Sequence, residues 1–149
     1  MTKPSSLNTL IDLAQNSADG AARQLQELNS TRRDAEQQLA TLQVYRRDYT
    51  ERLQKTMSHG LSASNYHNFR QFIVTLDEAI SLQNKALVQI KTKLESGREY
   101  WYEKKRRLNS YMTLLSRQAR QQAESDNRSE QRTNDEISAN LLRRTDKTY

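Results

Sequence analysis

Apolar residues recur along this chain in alternating steps of four and three. The first series runs Leu7, Ile11, Ala14, Ala18, Ala21, Leu25, Leu28, Arg32, Ala35, Leu39, Leu42, Arg46, Tyr49 and Leu53, and only its two arginines break it. The second runs Phe69, Ile73, Leu76, Ile80, Gln83, Leu87, Ile90, Leu94, Gly97, Trp101, Lys104, Leu108, Tyr111 and Leu115, with Gln83, Gly97 and Lys104 as exceptions. A helix repeats every 3.6 residues, so a mean step of about 3.5 keeps such positions on one stripe that winds slowly to the left. Each series therefore predicts a long helix with one narrow apolar seam.

Between the two seams lies Met57-Ser58-His59-Gly60-Leu61-Ser62-Ala63-Ser64-Asn65. Gly60 suits the left-handed residue that ends a helix, and Ser62, Ser64 or Asn65 can cap the start of the next. The predicted elements are helix one over about residues 6–57, a turn over about 58–64, and helix two over about 65–117. Arms of similar length around a short break fold back most simply as an antiparallel coiled-coil hairpin, an all-α fold of two long helices. With the turn centred near residue 61, Ala21 and Ala22 lie opposite Trp101, so small side chains face a large one across the seam. Beyond Leu115 the stripe fades. Residues 118–149 form a polar tail, either a helical extension of helix two or disordered, with only Ile137, Leu141 and Leu142 as a weak apolar patch.

Composition narrows the function. Only 34% of the 149 residues are hydrophobic, enough for a seam between two helices and too few for a three-dimensional core. Cysteine is absent, so neither a disulfide framework nor a thiolate metal site is expected. The start of the chain is polar and no apolar run could span a bilayer, which predicts a cytoplasmic protein without direct membrane insertion.

Catalytic inventory is thin. His59 and His67 lack a neighbouring Asp, Glu or Cys at a spacing that would orient them or complete a metal site. There is no glycine-rich phosphate loop, and a two-helix hairpin has no water-excluding cavity. The sequence predicts a protein that is not an enzyme and needs no cofactor. Partners must then carry the function.

Two stripes beside the seams are candidates. Gln38, Leu42, Tyr45 and Tyr49 step by four, three and four in helix one, and Phe72, Leu76, Ala79 and Gln83 do the same in helix two. Tyr45 and Phe72 either fold over the seam as flanking residues or belong to a partner-binding patch, where aromatic side chains carry most of the affinity. The net charge of +6 sits mainly in residues 61–115, where nine positive side chains meet five negative ones. Within it, Lys104-Lys105-Arg106-Arg107 reads either as a solvated helix face or as a contact for an acidic partner at the end of the rod away from the turn. Nucleic acid binding, or pairing of helices between two copies in a generic coiled-coil scaffold, are the rival readings; interspersed acids disfavour the first.

Three stretches carry a resemblance. They are Leu7-Asn8-Thr9-Leu10-Ile11-Asp12-Leu13-Ala14 with Ala21-Ala22-Arg23, the block from Ser64 through Phe69-Arg70-Gln71-Phe72-Ile73 to Ile80, and Trp101-Tyr102-Glu103-Lys104-Lys105-Arg106-Arg107-Leu108. Together they resemble the FliJ family of the bacterial flagellar type III export apparatus, from the first residues to about Asp135. The resemblance implies a stalk-like hairpin bound to the hexameric export ATPase, whose ring assembly and activity it promotes. It also implies contact with the cytoplasmic linker of the export-gate membrane protein FlhA, escort of export-substrate chaperones, and a place at the cytoplasmic face of the inner membrane at the flagellar base. By the same resemblance the gate-binding surface maps onto Gln38, Leu42, Tyr45, Tyr49, Phe72, Leu76, Ala79 and Gln83. Gln83 stands where well-known members carry histidine, which keeps a hydrogen-bonding side chain and loses a titratable one. The ATPase contact falls, by analogy with rotary stalks, on Lys104, Lys105, Arg106 and Arg107.

Overall fold

A computed structural model of the chain describes residues 4–146. It contains two helices, α1 from Pro4 to Ser58 and α2 from Ala63 to Asp146. They form two compact units, one of residues 17–104 and the other of residues 1–16 with 105–149.

The first unit is an antiparallel hairpin closed by the predicted turn. Gly60 adopts φ 84°, a left-handed conformation that an L side chain resists, and so ends α1. His59 N–H donates to the Thr56 carbonyl at 3.2 Å and Gly60 N–H to the Met57 carbonyl at 3.4 Å, which satisfies two of the helix's last acceptors. Of the three candidate caps, Ser62 acts: its hydroxyl accepts from Asn65 N–H at 3.3 Å. Its carbonyl accepts from Tyr66 N–H at 3.0 Å, so α2 starts at once. Expectation had placed that start two residues later.

Both stripes point inward. In α1 every seam position from Leu7 to Leu53 is buried or half-buried except Arg46, and in α2 every one from Phe69 to Leu115 is. The places where the seams lose apolar character each have their own resolution. Arg46 turns outward and donates from its Nε and, at 3.5 Å, from Nη2 to the Asp77 carboxylate on the facing helix. That hydrogen bond and the nearby negative charge raise the Arg46 pKa above its ordinary value. Gln83 stays in the seam and donates from Nε2 to the Ala35 carbonyl at 3.0 Å. Lys104 lays its ammonium 5.0 Å from the centre of the Tyr100 ring. Arg32 keeps its Nε out of water without a hydrogen-bond partner, the Glu36 carboxylate standing 4.0 Å away.

Gly97 is the fifth exception, and packing explains it. A Cβ there would sit 3.4 Å from Leu28 Cδ1 and 3.5 Å from Leu25 Cδ1. Two leucines of α1 close over the glycine, so the seam stays apolar where α2 contributes no side chain.

In the second unit the same spacing packs Leu7, Ile11 and Ala14 of α1 with Leu108, Tyr111 and Leu115 of α2 on their inward sides. Partial burial ends at Gln118, and every residue from Ala119 to Asp146 is exposed. Of the two states expected for the polar tail, helix is the one observed up to Asp146. Its Gln, Glu, Arg and Ala residues favour helix without any partner surface.

Candidate partner-binding face

An antiparallel seam brings the flank of one helix against the matching flank of the other. Phe72 is at such a flank in α2, and its ring lies 4.3 Å from that of Tyr49 in α1, tilted by 38°. Gln38 holds the corresponding flank in α1, and its Oε1 accepts from Gln83 Nε2 at 3.3 Å. Between these two contacts the residues advance in opposite directions by equal steps. Leu42 therefore stands opposite Ala79, and Tyr45 opposite Leu76. All eight candidate residues form four consecutive rungs on one face of the hairpin.

Exposure along this face is graded. Leu76 is buried at 6% and forms the floor, while Tyr45 at 53% and Phe72 at 41% stand open to water. Leu42, Tyr49, Ala79 and Gln83 are half-buried, and Gln38 is exposed. Leu42, Gln38 and Gln83 also line a shallow, open depression with Asp34, Gln37 and Thr41. A half-covered aromatic cluster next to a polar, amide-rich end can grip an apolar side chain and orient it with hydrogen bonds. The Gln83 amide is largely committed to Ala35 and Gln38, so its part is to shape the polar end.

Two neighbours were not foreseen. The Arg52 guanidinium sits 5.6 Å from the centre of the Tyr49 ring, and the Phe69 ring lies 6.1 Å from it. Arg52 follows Tyr49 by three residues, and that helical neighbourhood was the available signal. It adds a positive charge to the aromatic end of the face.

The basic run behaves differently. Lys104 and Lys105 are half-buried, whereas Arg106 and Arg107 are exposed. Four consecutive helical residues point round the axis at about 100° each, so they cannot present one charged patch in a single direction. The run also lies in the interior of α2, which continues to Asp146. The two histidines, His59 and His67, are exposed. Among the described residues no group of three or more His, Cys, Asp or Glu could hold a metal ion, and no helix is long and apolar enough to cross a membrane.

Fold and face together define an all-helical hairpin protein with a composite surface built from both arms. Sequence comparison gives this class a family. The model of the family described as "Flagellar FliJ protein" matches residues 2–147. The Flagellar FliJ protein of Salmonella typhi is 36% identical over 137 residues, covering 92% of this chain and 93% of that protein. The Flagellar FliJ protein of Escherichia coli (strain K12) matches with the same identity and coverage. The chain belongs to the flagellar FliJ protein family.

Proposed function

We propose that this FliJ-family chain, a component of the flagellar export apparatus, works there as a non-enzymatic adaptor stalk. The four-rung face of Gln38, Leu42, Tyr45, Tyr49, Phe72, Leu76, Ala79 and Gln83 binds the cytoplasmic linker of the export gate, FlhA. The observation that carries this reading is the convergence of two separate sequence stripes, marked by the Tyr49–Phe72 ring contact of 4.3 Å and the Gln83–Gln38 hydrogen bond of 3.3 Å. An open aromatic pair over a buried Leu76 suits a partner that inserts an apolar side chain between Tyr45 and Phe72.

A second contact, to the hexameric export ATPase, falls on the basic stretch of α2 and promotes ring assembly and activity. Since Lys104–Arg107 point round the helix, the contact must surround α2 or engage only part of the run. Encirclement by a ring satisfies that geometry. Escort of export-substrate chaperones, and residence at the cytoplasmic face of the membrane through these partners, complete the reading.

The test is a pair of pull-downs with the full chain, one on the gate linker and one on the ATPase. Replacing Tyr45, Tyr49 and Phe72 together by Ala should lower gate-linker capture at least about tenfold, as expected for several hot-spot aromatics. Capture of the ATPase should stay unchanged. Equal loss of both contacts, or loss of neither, would sink the assignment of this face. Reversing the four charges of Lys104–Arg107 should weaken ATPase stimulation and spare the gate.

A further inference from the structure

The four-rung face ends at Gln38 and Gln83, yet the apolar surface of α2 continues beside that last rung. Leu82 is 67% exposed. It precedes Gln83, whose amide donates to the Ala35 carbonyl at 3.0 Å and to Gln38 Oε1 at 3.3 Å, so Leu82 stands at the level of the rung. Helical neighbours lie three and four residues away. Those of Leu82 are Ala79 and Ala86 toward the seam, and Glu78 and Lys85 away from it. Ala79 and Ala86 each come one residue before a seam position, as Phe72 does, so they hold the same flank of α2. Both are half-buried, and their short side chains leave Leu82 open toward the face.

A single exposed leucine is ordinary on a protein surface, and its setting decides whether it matters. Val88 is 65% exposed but lies six residues on, about 120° round the helix, among Asn84, Lys85, Lys91 and Thr92. Leu82 instead borders the depression that Asp34, Gln37, Gln38 and Thr41 line from α1, with Gln83 beside it in α2. It gives the amide-rich end of the face what Tyr45 and Phe72 give the other end, an exposed apolar side chain. We propose that Leu82 is a further binding residue of this face, against which a second apolar side chain of the gate linker packs. Leu82 has this role only if the face is the gate contact. From Phe72 to Leu82 the helix rises about 15 Å, so the bound segment spans at least that length with an apolar residue near each end. Glu78 and Lys85 carry opposite charges beside Leu82. The contact therefore draws on apolar burial and not on net charge, and salt leaves it unchanged.

Calorimetric titration of the full chain with the gate linker tests this. Leu82→Gln keeps a neutral, helix-favouring side chain of similar length and removes the apolar surface. It should weaken binding about fivefold or more, equally at low and high salt, whereas Leu82→Met should stay within about twofold. Val88→Gln, the same kind of exchange at a residue of near-equal exposure on the other flank, should leave the affinity unchanged. Unchanged urea midpoints for all three variants show that the fold is intact, as their exposure predicts. Suppose Leu82→Gln binds like the unaltered chain while joint replacement of Tyr45, Tyr49 and Phe72 by Ala loses the linker. Leu82 then lies outside the site, and the gate face itself stands. If the triple replacement also binds normally, the gate assignment falls and Leu82 falls with it. A loss that Val88→Gln matches, or one seen only at low salt, overturns the role of Leu82 as well.

Discussion

One helix, α2, contains two regions that differ only in what lies beside them. From Phe69 to Gln118 it buries or half-buries a residue every three or four positions, and from Ala119 to Asp146 it buries none. Both stretches are rich in residues that favour helix. The first adds a seam in which Leu76, Leu87, Leu94 and Leu108 are buried at 6% or less. The second has side-chain hydrogen bonds such as Gln122 Nε2 to Asp126 Oδ1 at 3.1 Å, all in contact with water. Intrinsic propensity writes the helix, and the seam decides how firmly it is held.

The largest effect that tests this contrast is truncation inside the seam. Leu87 is 6% exposed, and Leu82, five residues earlier on the same helix, is 67% exposed. Leu87→Ala removes buried methyl groups and leaves a cavity, costing about 2–4 kcal/mol. Leu82→Ala should change stability by less than about 0.5 kcal/mol. Urea unfolding followed by circular dichroism reads both. Similar midpoints for the two variants would mean that the seam does not hold the helix.

A smaller effect, of opposite sign, sharpens the comparison at Gly97. Glycine inside a helix is destabilising relative to alanine by about 0.5–1 kcal/mol. The added Cβ would meet only the ends of Leu25 and Leu28, no closer than 3.4 Å. Gly97→Ala should therefore raise the urea midpoint, by up to about 1 kcal/mol in stability. Gly97→Leu should lower it, because overpacking a closed seam costs about 1–3 kcal/mol. If both variants lowered the midpoint, the close approach of the two leucines would be setting the spacing between the helices.

Much of this was legible in the residues. Period fixed both helices and their inward faces, because alternating steps of three and four have one geometric solution. The eight residues of the candidate partner-binding face were visible as two stripes. That they share a face follows once Gly60 and Ser62 fix the turn, since the turn sets the register. Less was legible where one residue reaches across the hairpin. Nothing local marks Asp77 as the partner of Arg46, 31 positions earlier, or the Ala35 carbonyl as the acceptor for Gln83. Nor was it legible where α2 stops, well past the basic run. Composition does not determine that point: the tail's Gln, Arg, Glu and Ala favour helix, but interspersed Ser, Asn and Asp mark no single place where it must end.

The tail supplies the smallest expected effect on stability and the clearest contrast in dynamics. Because no described residue after Gln118 is buried, removing residues 121–149 is expected to cost no seam contact. The urea midpoint of the remaining chain should shift by less than about 0.5 kcal/mol in stability. Hydrogen exchange on the intact chain gives the complementary reading. Amides around Leu87 and Leu94 can exchange only by opening the seam, so they should report an opening free energy near that of global unfolding. Amides from Ala123 to Leu142 are held by single-helix hydrogen bonds open to water, and should report about zero to 1 kcal/mol. Strong protection in the tail of the isolated chain would break the comparison at its root. Ile137, Leu141 and Leu142, which are 53–68% exposed, would then have to be covered by another copy. Sedimentation of the intact and shortened chains separates the cases: a monomer of unchanged stability after truncation leaves the tail a solvated helix, whereas a mass that halves assigns it a partner of its own kind.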